Sequence, residues 1–136
     1  MAVLYVDGGA RGNPGPAGVG AVLEDDAGNE LARANAYIGE ATNNVAEYRA
    51  LLLGLERARE LGVRDLEIVN DSQLVARQLT GEYRVKNEDL KLQHDQARRA
   101  LRQFEHWSVR SVPREKNEVA DALVNEAIDA QESTTG

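Results

Sequence analysis

Asp7, Glu47, Asp71 and Asp121 are the residues of this 136-residue chain whose types and settings could do chemistry. Asp7 closes an unbroken apolar run, Ala2 to Val6, and Asp71 follows a second strand-like run, Leu66 to Asn70. Glu47 opens a long amphipathic segment, and Asp121 lies in the first turns of a late one. Acids gathered at one point repel one another and resist desolvation, so the set implies a shared divalent cation, with magnesium as the usual partner of such oxygen ligands.

Each acid also has an ordinary explanation. Asp71 could cap a helix starting at Ser72. Glu47 stands three residues after Asn44, as the acid of a capping box would. Asp121 suits the positive end of a helix dipole, and Asp7 could close a turn with Gly8 and Gly9. Two placements favour the shared site. Glu47 shares a helix face with Leu51 and Leu55 and so turns inward. Asp7 ends a strand expected to be central, where an unpaired acid costs roughly several kcal/mol.

The elements that must position these groups follow from periodicity. Residues 2–6 read as a strand buried on both faces. A glycine-rich stretch follows from Gly8 to Gly20, holding Pro14 and Pro16, and overlaps a run at Val19 to Leu23. Leu31 to Ile38 alternates apolar and polar, and Asp25 to Asn29 between the two is turn chemistry, so the pair forms a hairpin. Tyr48, Leu51, Leu52, Leu55 and Ala58 fall at helical spacing within Asn44 to Leu61, and Gly62 ends that helix. Then come a strand at 66–70, a short helix from Ser72 to Leu79, a helix at 88–104, a strand from Trp107 to Val112 and a helix from Asn117 to Ala130. The order is βββαβααβα. It predicts an α/β fold with a mixed five-stranded sheet, antiparallel at first and parallel later, flanked by helices on both faces. In such sheets, sites form at the carboxyl ends of strands, where Asp7 and Asp71 are expected.

The length predicts one domain, residues 1–130, followed by a polar tail at 131–136. No apolar run reaches membrane length, no secretory leader is evident, and cysteine is absent, which excludes thiolate metal sites and points to the cytoplasm. The net charge of −7 argues only weakly against nucleic acid, because the distribution of charge matters more than its total. Residues 77–102 carry a local net of +3 and read either as a salt-bridged helix face or as a phosphate-facing patch. Arginine outnumbers lysine 13 to 3, a bias that suits phosphate contact.

The stretches around the acids resemble a known family. Tyr5-Val6-Asp7-Gly8-Gly9-Ala10-Arg11-Gly12-Asn13-Pro14-Gly15-Pro16-Ala17-Gly18 resembles the opening motif of type 1 ribonuclease H. Thr42-Asn43-Asn44-Val45-Ala46-Glu47 is similar to that family's second motif, and Asp71-Ser72-Gln73-Leu74-Val75 to its third. Val112 to Asp121 is similar to the fourth, as found in the compact bacterial and archaeal branch. The resemblance spans about residues 3–128 in the family's order.

That resemblance implies a ribonuclease H-like fold and a metal-dependent endonuclease cutting the RNA strand of an RNA/DNA hybrid, with 5′-phosphate and 3′-hydroxyl products. It implies two Mg²⁺ ions, with Mn²⁺ as a substitute, held by Asp7, Glu47, Asp71 and Asp121. Asp7 would bridge both ions, and Glu47 would support the leaving-group side. It also implies sugar and base-edge contacts by Asn13, Asn44 and Gln73, phosphate contacts by Thr42 and Asn43, and close approach of backbone at Gly8 and Gly9, with Ser72 beside them. No obligate protein partner is implied, and a monomer is expected.

Two departures from the family pattern matter. Many relatives carry a histidine ten residues before the last catalytic aspartate, where it assists product release. This chain has Ser111, which cannot shuttle a proton near neutral pH; Arg114 is the nearest substitute, acting by charge, and reduced turnover is expected. Some relatives insert a basic helix where Thr80 to Asn87 stands here, and no separate hybrid-binding domain precedes the first strand, so weak binding with a modest salt slope is expected. Two other readings stay open on sequence: a non-catalytic nucleic-acid-binding module, and a nuclease of the same superfamily acting on DNA.

Overall fold

The computed structural model describes the backbone of residues 1–135 and the side chains of residues 1–131. The elements run β1 Ala2–Ala10, β2 Gly15–Glu24, β3 Glu30–Ala41, α1 Asn43–Glu60, β4 Asp65–Asn70, α2 Gln73–Thr80, α3 Glu88–Leu101, β5 His106–Ser111 and α4 Glu118–Thr135, with a 3-10 turn at Arg114–Lys116 before α4. This is the expected βββαβααβα order. The sheet is ordered β3-β2-β1-β4-β5. Its first three strands pair antiparallel, and β4 pairs parallel with both β1 and β5. No helix among the described residues is long and apolar enough to cross a membrane.

Strand alternation decides which way each acid faces. Leu4 and Val6 of β1 join Val19, Ala21 and Leu23 of β2 in the core with Leu51 and Leu55 of α1. Each of these large aliphatic side chains contributes about 1.5–3 kcal/mol by burial. Tyr5 and Asp7, on the alternate positions, therefore face the opposite side of the sheet. There Ala120, Leu123, Val124 and Ile128 of α4 are buried, at helical spacing along one face. α3 packs against α1, and α2 reaches β5.

The structure moves several expected boundaries. β1 does not end at Asp7. Its ladder with β4 stops at Tyr5↔Val69, but pairing with β2 carries it on to Ala10↔Ala17. Asp7 thus lies inside a strand, at the point where one neighbour has departed and the other remains. The glycine-rich stretch is also mostly strand. Its turn is confined to Arg11–Pro14, closed by Arg11 N–H donating to the Pro16 carbonyl at 2.8 Å. The glycines there serve close approach: a Cβ on Gly8 would lie 2.1 Å from the Ala46 carbonyl oxygen of α1, and one on Gly20 would lie 2.7 Å from that of Ala120 in α4. α4 continues through Thr135, past the Ala130 end expected, because no glycine or proline intervenes to stop it. The expected tail is therefore helical over residues 131–135, and Gly136 lies outside the described residues. α3 stops at Leu101 rather than at 104.

Much of the basic segment is tied up internally. Arg77 donates to the Tyr83 hydroxyl at 2.6 Å, Lys91 to Glu88 at 2.7 Å, and Arg98 to the Leu79 carbonyl at 2.8 Å. Arg77 and Lys91 also form ion pairs, with Glu82 and Glu88, so the salt-bridged reading holds for those two, while Arg98 is held by a backbone carbonyl.

Candidate active site

Local capping leaves the acids free for other work. Thr42 Oγ1 accepts from Val45 N–H at 3.3 Å and so caps α1. The capping-box reading of Glu47 around Asn44 is thereby displaced, because the helix begins one residue earlier. At the end of β4, Asn70 Oδ1 accepts from Ser72 N–H at 3.0 Å, and Ser72 Oγ accepts from Val75 N–H at 3.2 Å. Ser72, not Asp71, is the cap of α2. Asp121 sits one turn into α4, its N–H donating to the Asn117 carbonyl at 3.1 Å. Its Oδ1 accepts from Arg114 Nη2, also at 3.1 Å.

The four carboxylates line one cleft of about 400 Å³ together with Arg114 and Asn43. Asp7 is 8% exposed. Burial pushes its carboxyl up to about 8, with Asp71, Asp121 and Glu47 raising it further. Burial also lifts Glu47 to about 7, with Asp71 adding to the rise and the Ser72 hydroxyl opposing it. Asp71 is raised chiefly by burial, while its hydrogen bond with Asp7 and the Arg114 charge work the other way. Arg114 is held more firmly protonated, first by the charge of Asp121. Glu47 Oε2 is buried and has no partner among the described residues. An orphaned carboxylate oxygen facing three other acids is the donor set of a hard divalent cation, and these residues fit one.

The binding residues expected from sequence divide. Asn43 lines the cleft, as do Gly8 and Gly9. Asn43 Oδ1 accepts from Ala10 N–H at 2.9 Å, and Asn13 Oδ1 accepts from Asn43 N–H at 3.1 Å. The two amides thus strap the β1–β2 turn to the start of α1, and their NH₂ groups stay unbonded among the described residues. Thr42 is the cap of α1, and Ser72, the cap of α2, partly offsets the rise in the Glu47 carboxyl. Gln73 is exposed and Asn44 half-buried at the first turns of α2 and α1. Ser111 is half-buried at the end of β5, paired with Asn70.

Sequence reasoning missed Asn117 and Asn125. Asn125 lines the cleft from α4, and Asn117, just before α4, is 2% exposed. Both lie one helical turn from Asp121, and that spacing was the available signal. A separate trio, Asp65, Glu105 and His106, brings its ligand atoms within 4.8 Å of one another. It is exposed, at the opposite ends of β4 and β5, and takes no part in the cleft.

Comparison with known proteins agrees with this geometry. The reverse transcriptase-like family matches residues 5–127. The chain is 50% identical over 125 residues to ribonuclease HI of Halobacterium salinarum, covering 92% of this chain and 63% of that protein. It is 46% identical over 129 residues to a bifunctional protein of Mycobacterium tuberculosis, covering 94% of this chain and 35% of that one. The chain therefore spans less than two thirds of these relatives. Among solved structures, the Halobacterium salinarum RNase H1 superposes with a TM-score of 0.92 at 49% identity, covering 95% of this chain and 98% of that one. LC11-RNase H1, solved with an RNA/DNA hybrid, gives 0.92 at 45%, covering 96% and 99%. Matched in sequence over nearly its whole length and in fold at close superposition, the chain belongs to the reverse transcriptase-like family, as a compact type 1 ribonuclease H.

Proposed function

We propose that the chain is a metal-dependent endonuclease that hydrolyses the RNA strand of RNA/DNA hybrids, leaving 5′-phosphate and 3′-hydroxyl ends. One observation carries this reading: acids 114 residues apart in sequence, Asp7 and Asp121, meet Glu47 and Asp71 in a single cleft. A pure binding module gains nothing from clustered negative charge facing phosphates. Asp7, Glu47, Asp71 and Asp121 would hold two Mg²⁺ ions, and Mn²⁺ has compatible ligand preferences. When bound, such ions supply an activated water and charge stabilisation for the departing ribose 3′ oxygen.

The chain's own groups do the rest. Burial keeps Asp7 and Glu47 partly protonated until cations replace the protons. The backbone at Gly8 and Gly9 forms a wall without side chains along which a sugar can lie. The unbonded NH₂ groups of Asn13 and Asn43, with Asn44 and Gln73, supply donors for the 2′-hydroxyl side of the minor groove, and Thr42 and Ser72 flank them. Arg114, fixed on Asp121, places a positive charge at the lip where product phosphate departs. Residues 1–130 carry every one of these groups, which supports a single catalytic unit acting as a monomer. The cysteine-free composition supports a cytoplasmic setting.

The test uses end-labelled RNA/DNA hybrid, double-stranded DNA and double-stranded RNA, with Mg²⁺ and then Mn²⁺, beside Asp71→Asn. Hybrid-only cleavage that disappears in the variant is expected. Binding without cutting under both metals would replace this reading with that of a binding module, and cutting of duplex DNA would replace it with that of a DNA nuclease.

A further inference from the structure

Asn117 stands immediately before α4, where an asparagine ordinarily caps its own helix by accepting a backbone N–H. Here it does something else. Its Nδ2 donates to the Val6 carbonyl at 2.8 Å, across 111 residues of sequence. Its Oδ1, the atom a cap would use, is buried and bonds nothing among the described residues. The side chain is 2% exposed, so neither atom turns to water. Forgoing the cap in order to reach β1 needs a reason beyond the stability of α4.

The bond's position supplies the reason. Val6 precedes Asp7, at the place where the β1–β4 ladder has already stopped. On its other side, the Asn117 carbonyl accepts from Asp121 N–H at 3.1 Å. One residue thus spans from the backbone holding Asp7 to the backbone holding Asp121, two acids that line the same cleft. Arg114 sits on the same 3-10 turn that leads into Asn117. We infer that Asn117 is a positioning residue that sets the separation of Asp7 and Asp121, and with it the spacing of the cation ligands. This rests on the proposed metal-dependent hydrolysis for its catalytic consequence, though not for its consequence on metal binding.

The role makes a demand that general stability does not. An amide is needed because its N–H₂ must donate to a carbonyl, and the length of an asparagine is needed to reach it. Serine can cap α4 by accepting a backbone N–H, but it is too short to bridge to Val6. Asn117→Ser therefore offers a cap without the bridge, and Asn117→Ala offers neither. Leu101→Ala, a truncation of a buried leucine in α3 away from the cleft, shows what destabilisation alone does.

Each variant is measured well below its own melting temperature. Mn²⁺ binding to the metal-free protein is followed by electron paramagnetic resonance, and kcat and KM are measured on hybrid with Mg²⁺. Asn117→Ser and Asn117→Ala are expected to weaken Mn²⁺ binding and to lower kcat by about 10-fold or more, with KM little changed, as loss of a group that orients ligands does. Leu101→Ala is expected to melt earlier with Mn²⁺ affinity and kcat intact. The inference is overturned if Asn117→Ser matches Leu101→Ala in both readouts. Wild-type protein that binds Mn²⁺ but leaves the hybrid uncut sinks the proposed function alone, because the Mn²⁺ comparison still reads Asn117. Wild-type protein that binds no Mn²⁺ overturns both.

Discussion

Asp7→Asn should stabilise the metal-free protein while abolishing hydrolysis. The folded-state pKa of Asp7 is raised from 3.8 to about 8, first by burial and then by the three neighbouring acids. A raised acid pKa means that ionisation is penalised in the folded state only. The penalty is absent below about pH 4, where both states are protonated, grows between about pH 4 and pH 8, and is constant above. For a group ionising alone, the interval from 3.8 to pH 7 amounts to about 4 kcal/mol. Water in the open cleft screens part of this, leaving about 1–3 kcal/mol for the variant to recover. In a domain of this size that raises Tm by about 3–9 °C. Thermal unfolding in EDTA at pH 4, 6, 7 and 9 gives the assay. Wild type and variant should melt together at pH 4 and diverge steadily toward pH 9, with the variant higher. Magnesium should reverse the order by binding the intact quartet preferentially. A variant that melts at or below wild type in EDTA at pH 9 would show that Asp7 is not confined among like charges.

Three further outcomes follow from the same cleft and the strands around it. Ser111→His, at the strand end paired with Asn70, should raise steady-state kcat several-fold by adding a group that titrates near neutrality; an unchanged kcat removes this account of the position. Arg114→Ala should change Tm little, since the Arg114 side chain is 72% exposed and its ion pair is a surface one. It should nonetheless slow multiple-turnover cleavage more than the first turnover, as rapid-quench kinetics would reveal. Gly8→Ala should lower stability by about 3 kcal/mol or more, because its Cβ would lie 2.1 Å from a backbone oxygen that cannot step aside; a melt within a degree or two of wild type would contradict that packing.

The fold and the acid quartet were legible because each left a local trace. An unbroken apolar run marked β1, period-two alternation marked β3 and helical spacing marked α1 and α4, and each acid occupied a junction between patterns. What could not be read was the consequence of neighbours. Whether Asp7 ends a strand or lies within one depends on β2 continuing to pair after β4 has left, and pairing partners are not written in the strand itself. The glycines between Gly8 and Gly20 carry the composition of a loop, and only the approach of α1 and α4 makes them sheet positions. Ser72 and Thr42 were available as caps in the sequence, yet Asp71 and Asn44 were equally plausible there, and backbone geometry made the choice. Asn117 escaped notice for a related reason: before a helix, a bridging asparagine and a capping one look alike.

The quartet is drawn from the second and last thirds of the chain as well as the first, and β1 waits for a parallel neighbour that lies beyond α1. Residues 118–135 must therefore be made before α4 can settle over the sheet and deliver Asp121. Nascent chains, and fragments clipped between α3 and α4, hold at most three of the four acids. Until that last helix docks, the proposed cation site stays one ligand short.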